Sequence, residues 1–146
     1  MKKFISLIFA TVVALGLSSC SKTDANLEKI SGEWYWNSTE AGVDMEVYVA
    51  FHTDATFDLY QKVGEGPHYL YKGKYNFDGQ VLTGTYSDYT PWAHDYNVTK
   101  SNGSLTLTSV AAPDYSITFK KEAIPQSVRI HYMPVTKSEG VAPAFL

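Results

Sequence analysis

The chain has 146 residues, 45% hydrophobic and 18% charged, a balance that fits one globular domain with a single core. Its net charge of −3 and the lack of any Lys/Arg-rich run exclude nucleic acid as an expected partner, because phosphate binding needs a basic stripe. Aromatic residues make up 14%, and all 11 tyrosines follow residue 30, which points to strands in place of helices.

Lys2 and Lys3 precede an apolar run over residues 4–17 and a small-residue stretch ending at Cys20. A charged start, a hydrophobic middle too short to span a membrane and a small-residue cleavage region predict a secretory signal peptide over residues 1–19. Leu17-Ser18-Ser19-Cys20 resembles the lipobox of bacterial lipoproteins, which implies cleavage before Cys20 and acylation of its thiol, with palmitate among the expected chains. The rival reading is a lone buried thiol, since no second cysteine exists to form a disulfide. Each buried methylene contributes about 0.8 kcal/mol to attachment, so the expectation is a domain anchored to the outer membrane, on its periplasmic or surface face, and not spanning it. Removing Lys2 and Lys3 from the 12 basic residues leaves 10 against 15 acidic, a balance of −5.

Residues 20–29 are polar and carry no period, so they read as a lipidated tether. Lys22 with Asp24 resembles the charges that follow the cysteine in surface-exported lipoproteins. Three Asn-x-Ser/Thr triplets, at Asn37, Asn97 and Asn102, are assigned to chance in a chain with a bacterial leader.

From Gly32 onward the apolar residues recur at every second position. Trp34 and Trp36 share one face of a first strand. Val43, Met45, Val47, Val49 and Phe51 then alternate with Asp44, Glu46, Tyr48 and Ala50. Phe57, Leu59 and Gln61 share a face, as do Tyr69, Tyr71, Gly73, Tyr75 and Phe77 in the next run. Asp78-Gly79 is a hairpin signal, followed by Leu82, Gly84 and Tyr86. Trp92, His94, Tyr96 and Val98 read as a strand. Asn102-Gly103 turns into Leu105 and Leu107, and residues 111–114 lead to Tyr115, Ile117 and Phe119.

About eight strands joined by short connections predict antiparallel neighbours, because parallel ones need long crossovers. Such a meander buries its apolar face by closing on itself. The fold expected is therefore all-β, an eight-stranded antiparallel up-and-down barrel over residues 30–124. A two-sheet sandwich is the alternative, disfavoured by the lack of a long connection.

Gly32-x-Trp34, the Phe51, Asp54, Phe57 spacing and Gly73-x-Tyr75 together resemble the lipocalin-like lipoproteins of diderm bacteria. The resemblance implies an open-ended barrel. Ala55 departs from it, standing where these proteins often place a turn glycine.

Tight turns at residues 52–54, 78–79 and 102–103 would close one end, with looser connections at 37–42, 63–67, 87–91 and 110–114 rimming the other. The inward residues nearest that rim are Met45, Gln61, Tyr69, Tyr71, Tyr86, Trp92, His94 and Tyr115, the candidate ligand-binding set. Aromatic bodies with polar tips suit a small apolar or amphipathic ligand. Alternatively these side chains fill the barrel outright, Trp34 plugs the closed end and His94 is a satisfied structural residue.

His52, His68, His94 and His131 show no metal-ligand spacing, and no nucleophile motif or phosphate loop is present, so neither metal, cofactor nor catalysis is expected. In the tail over residues 125–146, Val128, Ile130 and Tyr132 alternate like a strand, disorder is expected over residues 136–140, and the apolar last residues are expected to dock on the wall or plug a loop end. The functional expectation is a lipid-anchored carrier of a small ligand. Its rival is a solid barrel that recognises a protein or glycan through rim loops at residues 89–92 and 64–68.

Overall fold

The computed structural model describes residues 22–139 and 145–146, so the expected leader and Cys20 lie outside the described residues. Eight strands build the wall: β1 (Gly32–Glu40), β2 (Val43–Phe51), β3 (Thr56–Val63), β4 (His68–Phe77), β5 (Val81–Tyr86), β6 (Tyr96–Ser101), β7 (Ser104–Ser109) and β8 (Ser116–Lys121). Each pairs antiparallel with the next, and β1 closes on β8 with Trp34 opposite Lys121 and Tyr35 opposite Lys120. The chain is thus a closed eight-stranded antiparallel barrel, and the sandwich is excluded.

The period of two sets the register. Phe57, Leu59 and Gln61 on β3 are fully buried, and they face Gly73, Tyr71 and Tyr69 on β4. Each wall strand sends alternate side chains into one continuous core that includes Trp34, Val47, Val49, Phe51, Leu82, Leu105, Leu107 and Phe119. Burying each such side chain stabilises the barrel by roughly 1.5–3 kcal/mol.

One end is closed by the turns at residues 52–55, 78–80 and 102–103. Ala55 takes a left-handed φ of 66°, the conformation that a glycine would adopt without strain, so an alanine in place of the expected glycine leaves the turn in place. Over that end lies α1 (Lys22–Ile30). Its Leu27 and Ile30 are buried in the barrel core, and the Trp34 indole donates to the Ile30 carbonyl at 2.9 Å. Part of the stretch expected to be a patternless tether is therefore a helical stopper. Two apolar residues three positions apart make only one helical turn of signal, too little to show as a period.

The outer wall of β2, β3 and β4 carries a second core. Tyr48, Ala50, Tyr60 and Leu70 point outward yet are buried, because Ile124 and Val128 cover them. Val128 belongs to α2 (Gln126–Ile130), which is followed by β9 (Tyr132–Pro134), a short strand parallel to β4. The expected strand through Val128, Ile130 and Tyr132 is thus corrected to a helical turn and a three-residue strand. The expected disorder over residues 136–140 is corrected over 136–139, residue 140 lying outside the described residues. Lys137–Glu139 forms a 3₁₀ turn, and the Ser138 amide donates to Asp88 Oδ2 at 2.8 Å.

Candidate ligand site at the open end of the barrel

The opposite end is rimmed by the connections at residues 41–42, 64–67, 87–95 and 110–115. The first is tighter than expected, since β1 and β2 stay paired to Glu40 and Val43. The third is longer. β5 and β6 pair only through Val81 with Asn97 and Leu82 with Tyr96, so β6 begins at Tyr96 and Trp92 lies in a loop. The Trp92 amide donates to the Gly84 carbonyl at 3.0 Å, and its indole occupies the space that a side chain at Gly84 would need.

Gln61, Tyr71, Tyr86 and Trp92 are buried inside, and Met45 and Tyr69 are half-buried near the mouth. Tyr71 and Trp92 both lie edge-on to neighbouring rings, Tyr86 at 5.9 Å and Phe57 at 5.1 Å respectively. His94 and Tyr115 occupy the rim. Their rings lie 5.2 Å apart, and Tyr115 is 41% exposed. His94 Nδ1 is hydrogen-bonded to Ser109 Oγ at 3.1 Å, and that oxygen also accepts the Ala112 amide. Ser109 is fully buried, so the pair ties down the rim and presents no exposed nucleophile.

Tyr96 is fully buried beside this set, and sequence reasoning placed it inward without counting it among the candidates. Its hydroxyl and the Trp92 Nε1 have no hydrogen-bond partner among the described residues. Burial raises both Tyr86 and Tyr96 well above the usual phenol value of 10, so both remain neutral donors across the physiological range. The buried polar side chains among the described residues outside the aromatics are Gln61 and Ser109, so the interior holds no cation.

The tail completes the mouth. Leu146 is fully buried in the barrel core, and its main-chain oxygen accepts the Tyr86 hydroxyl at 2.6 Å. Phe145 packs on Trp36 and Phe119, with ring centroids 4.7 and 6.0 Å away. Lys137 Nζ lies 5.0 Å over the Tyr86 ring. The expected docking of the last residues therefore takes the form of insertion into the open end, signalled in the sequence only by the apolar pair itself.

No family model, curated protein or solved structure matches the chain. What it binds must therefore be argued from the site.

Outside the barrel, a groove of about 600 Å³ runs along the outer wall between Thr56, Asp58, Lys72, Lys74, Thr85 and Ser87. A second groove of about 290 Å³, bordered by Tyr132, Val135 and Glu139, shares Lys72 and Ser87 with it. Lys72 is paired with Asp58 at 3.1 Å. Tyr89 stands over the larger groove with its residue 89% exposed and a left-handed φ of 68°. Among the described residues no group of three His, Cys, Asp or Glu is placed to hold a metal, and no helix is long and apolar enough to cross a membrane.

Proposed function

We propose that this chain is a lipid-anchored lipoprotein of the cell envelope whose lipocalin-like barrel binds a small apolar or amphipathic ligand at its open end. The observation that carries this reading is the pair of unpartnered groups at Trp92 and Tyr96. An unsatisfied buried donor costs about 1–3 kcal/mol. A core needing only aromatic bulk would do better with phenylalanine at 96. Two such groups on neighbouring rings, with centroids 6.3 Å apart, in an interior that buries no Lys, Arg or His among the described residues are suited to an acceptor oxygen on a hydrophobic body. The anchoring part of the reading rests on the sequence at residues 1–20.

Prodan, a neutral naphthalene ketone whose emission shifts to the blue in apolar surroundings, is the probe. The wild-type domain is expected to give a saturable blue shift, weakened several-fold in Tyr96→Phe while thermal stability rises. Absence of a saturable shift, or unchanged affinity in the variant, sinks the reading.

A second reading, an interaction module with a solid barrel, is favoured by Tyr89. An aromatic ring held in water over a groove of hydroxyl and charged groups suits a glycan or protein surface.

A further inference from the structure

Tyr89 stands in a conformation that turn chemistry alone gives to glycine or asparagine, with a left-handed φ of 68° and its residue 89% exposed. Packing does not explain it, since the ring meets water. Its backbone is nevertheless fixed. The Tyr89 amide donates to the Tyr86 carbonyl at 2.9 Å, the Tyr86 amide to the Thr90 carbonyl at 2.8 Å, and Asp88 accepts the Thr90 and Ser138 amides. A costly conformation held in place by its surroundings is the pattern of a functional position, and here it presents a flat ring over the larger outer groove. We infer that the two joined outer grooves bind an uncharged oligosaccharide chain, with the Tyr89 ring stacked on one of its sugars. This inference rests on the second reading above, whose glycan or protein surface it narrows to one ligand class, and is independent of what the barrel interior holds.

The floor of the larger groove decides the class. Its outward side chains stand in two rows across β3, β4 and β5. Thr56 pairs with Lys74 and Lys74 with Thr85 in one row. In the other, Asp58 pairs with Lys72, and the Ser87 amide donates to the Lys72 carbonyl at 2.8 Å. The main-chain ladder is closed beneath the groove, so a peptide has no strand edge there to extend. What the floor offers is side-chain donors and acceptors. Asp58 is held from both sides, by Lys72 Nζ at 3.1 Å and by His52 Nε2 at 3.1 Å. Carboxylate and ammonium thereby keep a fixed orientation, each with hydrogen-bonding capacity to spare. A fixed acceptor beside a fixed donor suits neighbouring hydroxyls on a sugar ring, and exposed Thr85 and Ser87 add hydroxyls of their own.

Charge and length narrow the occupant further. Along the joined grooves Lys72 and Lys74 are balanced by Asp58 and Glu139, so no net charge is available to a phosphate, sulfate or uronate. The grooves share Lys72 and Ser87, and each is bordered by a tyrosine: Tyr89 over the larger, and Tyr132, 38% exposed, beside the smaller. A single sugar meets one of these rings. A chain of several sugars meets both, with the polar rows between them. Because the Tyr89 loop is already ordered, little conformational freedom is lost when it stacks on the chain.

Saturation-transfer NMR titrations of the whole chain test this with maltohexaose, cellohexaose, laminarihexaose and mannohexaose, the disaccharide of each, and hexagalacturonate as the charged counterpart. At least one neutral hexasaccharide is expected to bind saturably, several-fold more tightly than its disaccharide and than hexagalacturonate. Tyr89→Ala is expected to weaken that binding about ten-fold, and Tyr89→Phe, which keeps the ring, to leave it unchanged. The side chain lies in water, so neither substitution puts the fold at risk. Binding undiminished in Tyr89→Ala overturns the site. Preference for hexagalacturonate overturns the uncharged class while leaving a glycan reading in place. Equal affinity for disaccharide and hexasaccharide overturns the extended chain. No saturable binding of any of them overturns the inference as a whole, and the second reading then stands only in its protein form.

Discussion

Trp92 sits against Gly84 so closely that a Cβ built on the glycine would lie 2.1 Å from the indole Cε2. A loop residue thereby enters the barrel through a gap in the β5 face, and its ring reaches Phe57 and Tyr96. Gly84→Ala is expected to push the indole out of this slot and cost about 1–3 kcal/mol. Urea unfolding followed by tryptophan emission checks it, and a variant as stable as the wild type would show that the slot has slack. Gly73→Ala is expected to cost more, because its nearest obstacle at 2.1 Å is the backbone oxygen of Thr85 and not a side chain.

The barrel was legible because a half-buried strand must alternate. Phe57, Leu59 and Gln61, or Tyr71, Tyr75 and Phe77, share one face of a strand, and closure rather than a sandwich follows from the short connections between such strands. Trp92 was misplaced for the same reason: Trp92, His94 and Tyr96 keep the period of two, although the chain there is a loop that folds inward. Periodicity records which residues are buried, not which backbone ladder carries them. The outer core also leaves a mark in the sequence. Tyr48, Ala50, Tyr60 and Leu70 are apolar on a face that should meet water, a sign that another segment covers it. In the candidate site, Gln61, Tyr71, Tyr86 and Trp92 were recoverable from parity, whereas the plug at Leu146 depends on a contact across 60 positions that no local pattern encodes.

Tyr89 is held in a conformation that costs a non-glycine residue about 1–2 kcal/mol, and its exposed ring recovers little by packing. Tyr89→Gly is therefore expected to raise stability by roughly 0.5–1 kcal/mol after the extra freedom of glycine in the unfolded chain is subtracted. At Ala55, with a φ of 66°, the same change is expected to be nearly neutral, because the alanine methyl packs against the core and its loss offsets the relief. Differential scanning calorimetry of the two variants separates them. A stabilised Tyr89→Gly that also loses capture of a surface glycan would favour the interaction-module reading.

Acid is expected to release the loop that carries Trp92. Partial burial pushes the Asp88 carboxyl up, but amide hydrogen bonds from Thr90 and Ser138 outweigh it and bring the value from 3.8 down to about 2. Hydrogen bonds from Thr56 lower Asp54, and those from the Val81 and Gln80 amides lower Asp78. All three values lie below those of the unfolded chain, so their stabilisation is present above the unfolded value of 3.8 and is lost as pH falls through the folded values, about 2 for Asp88. Asp88→Asn should flatten the part of this loss that tracks Trp92 emission. An unchanged acid limb in that variant would assign the loss to the other two turns.

Glu33 holds α2 over the outer wall from both directions. One carboxylate oxygen accepts the Ile124 amide at 2.6 Å, and the other is paired with Arg129. Both side chains of the ion pair are about one-third exposed, 34% and 32%, so solvent screening leaves the pair worth no more than about 1 kcal/mol. The amide bond adds about as much again. Glu33→Ala is therefore expected to cost about 1–2 kcal/mol, well above the ion pair alone, whereas Arg129→Ala should cost less than 1. Because Ile124 and Val128 cover Tyr48 and Tyr60, the loosened α2 in Glu33→Ala should speed amide exchange across residues 124–134 while leaving β6 and β7 protected. Equal costs for the two variants would mean that the ion pair, and not the Ile124 amide, fixes this segment to the barrel.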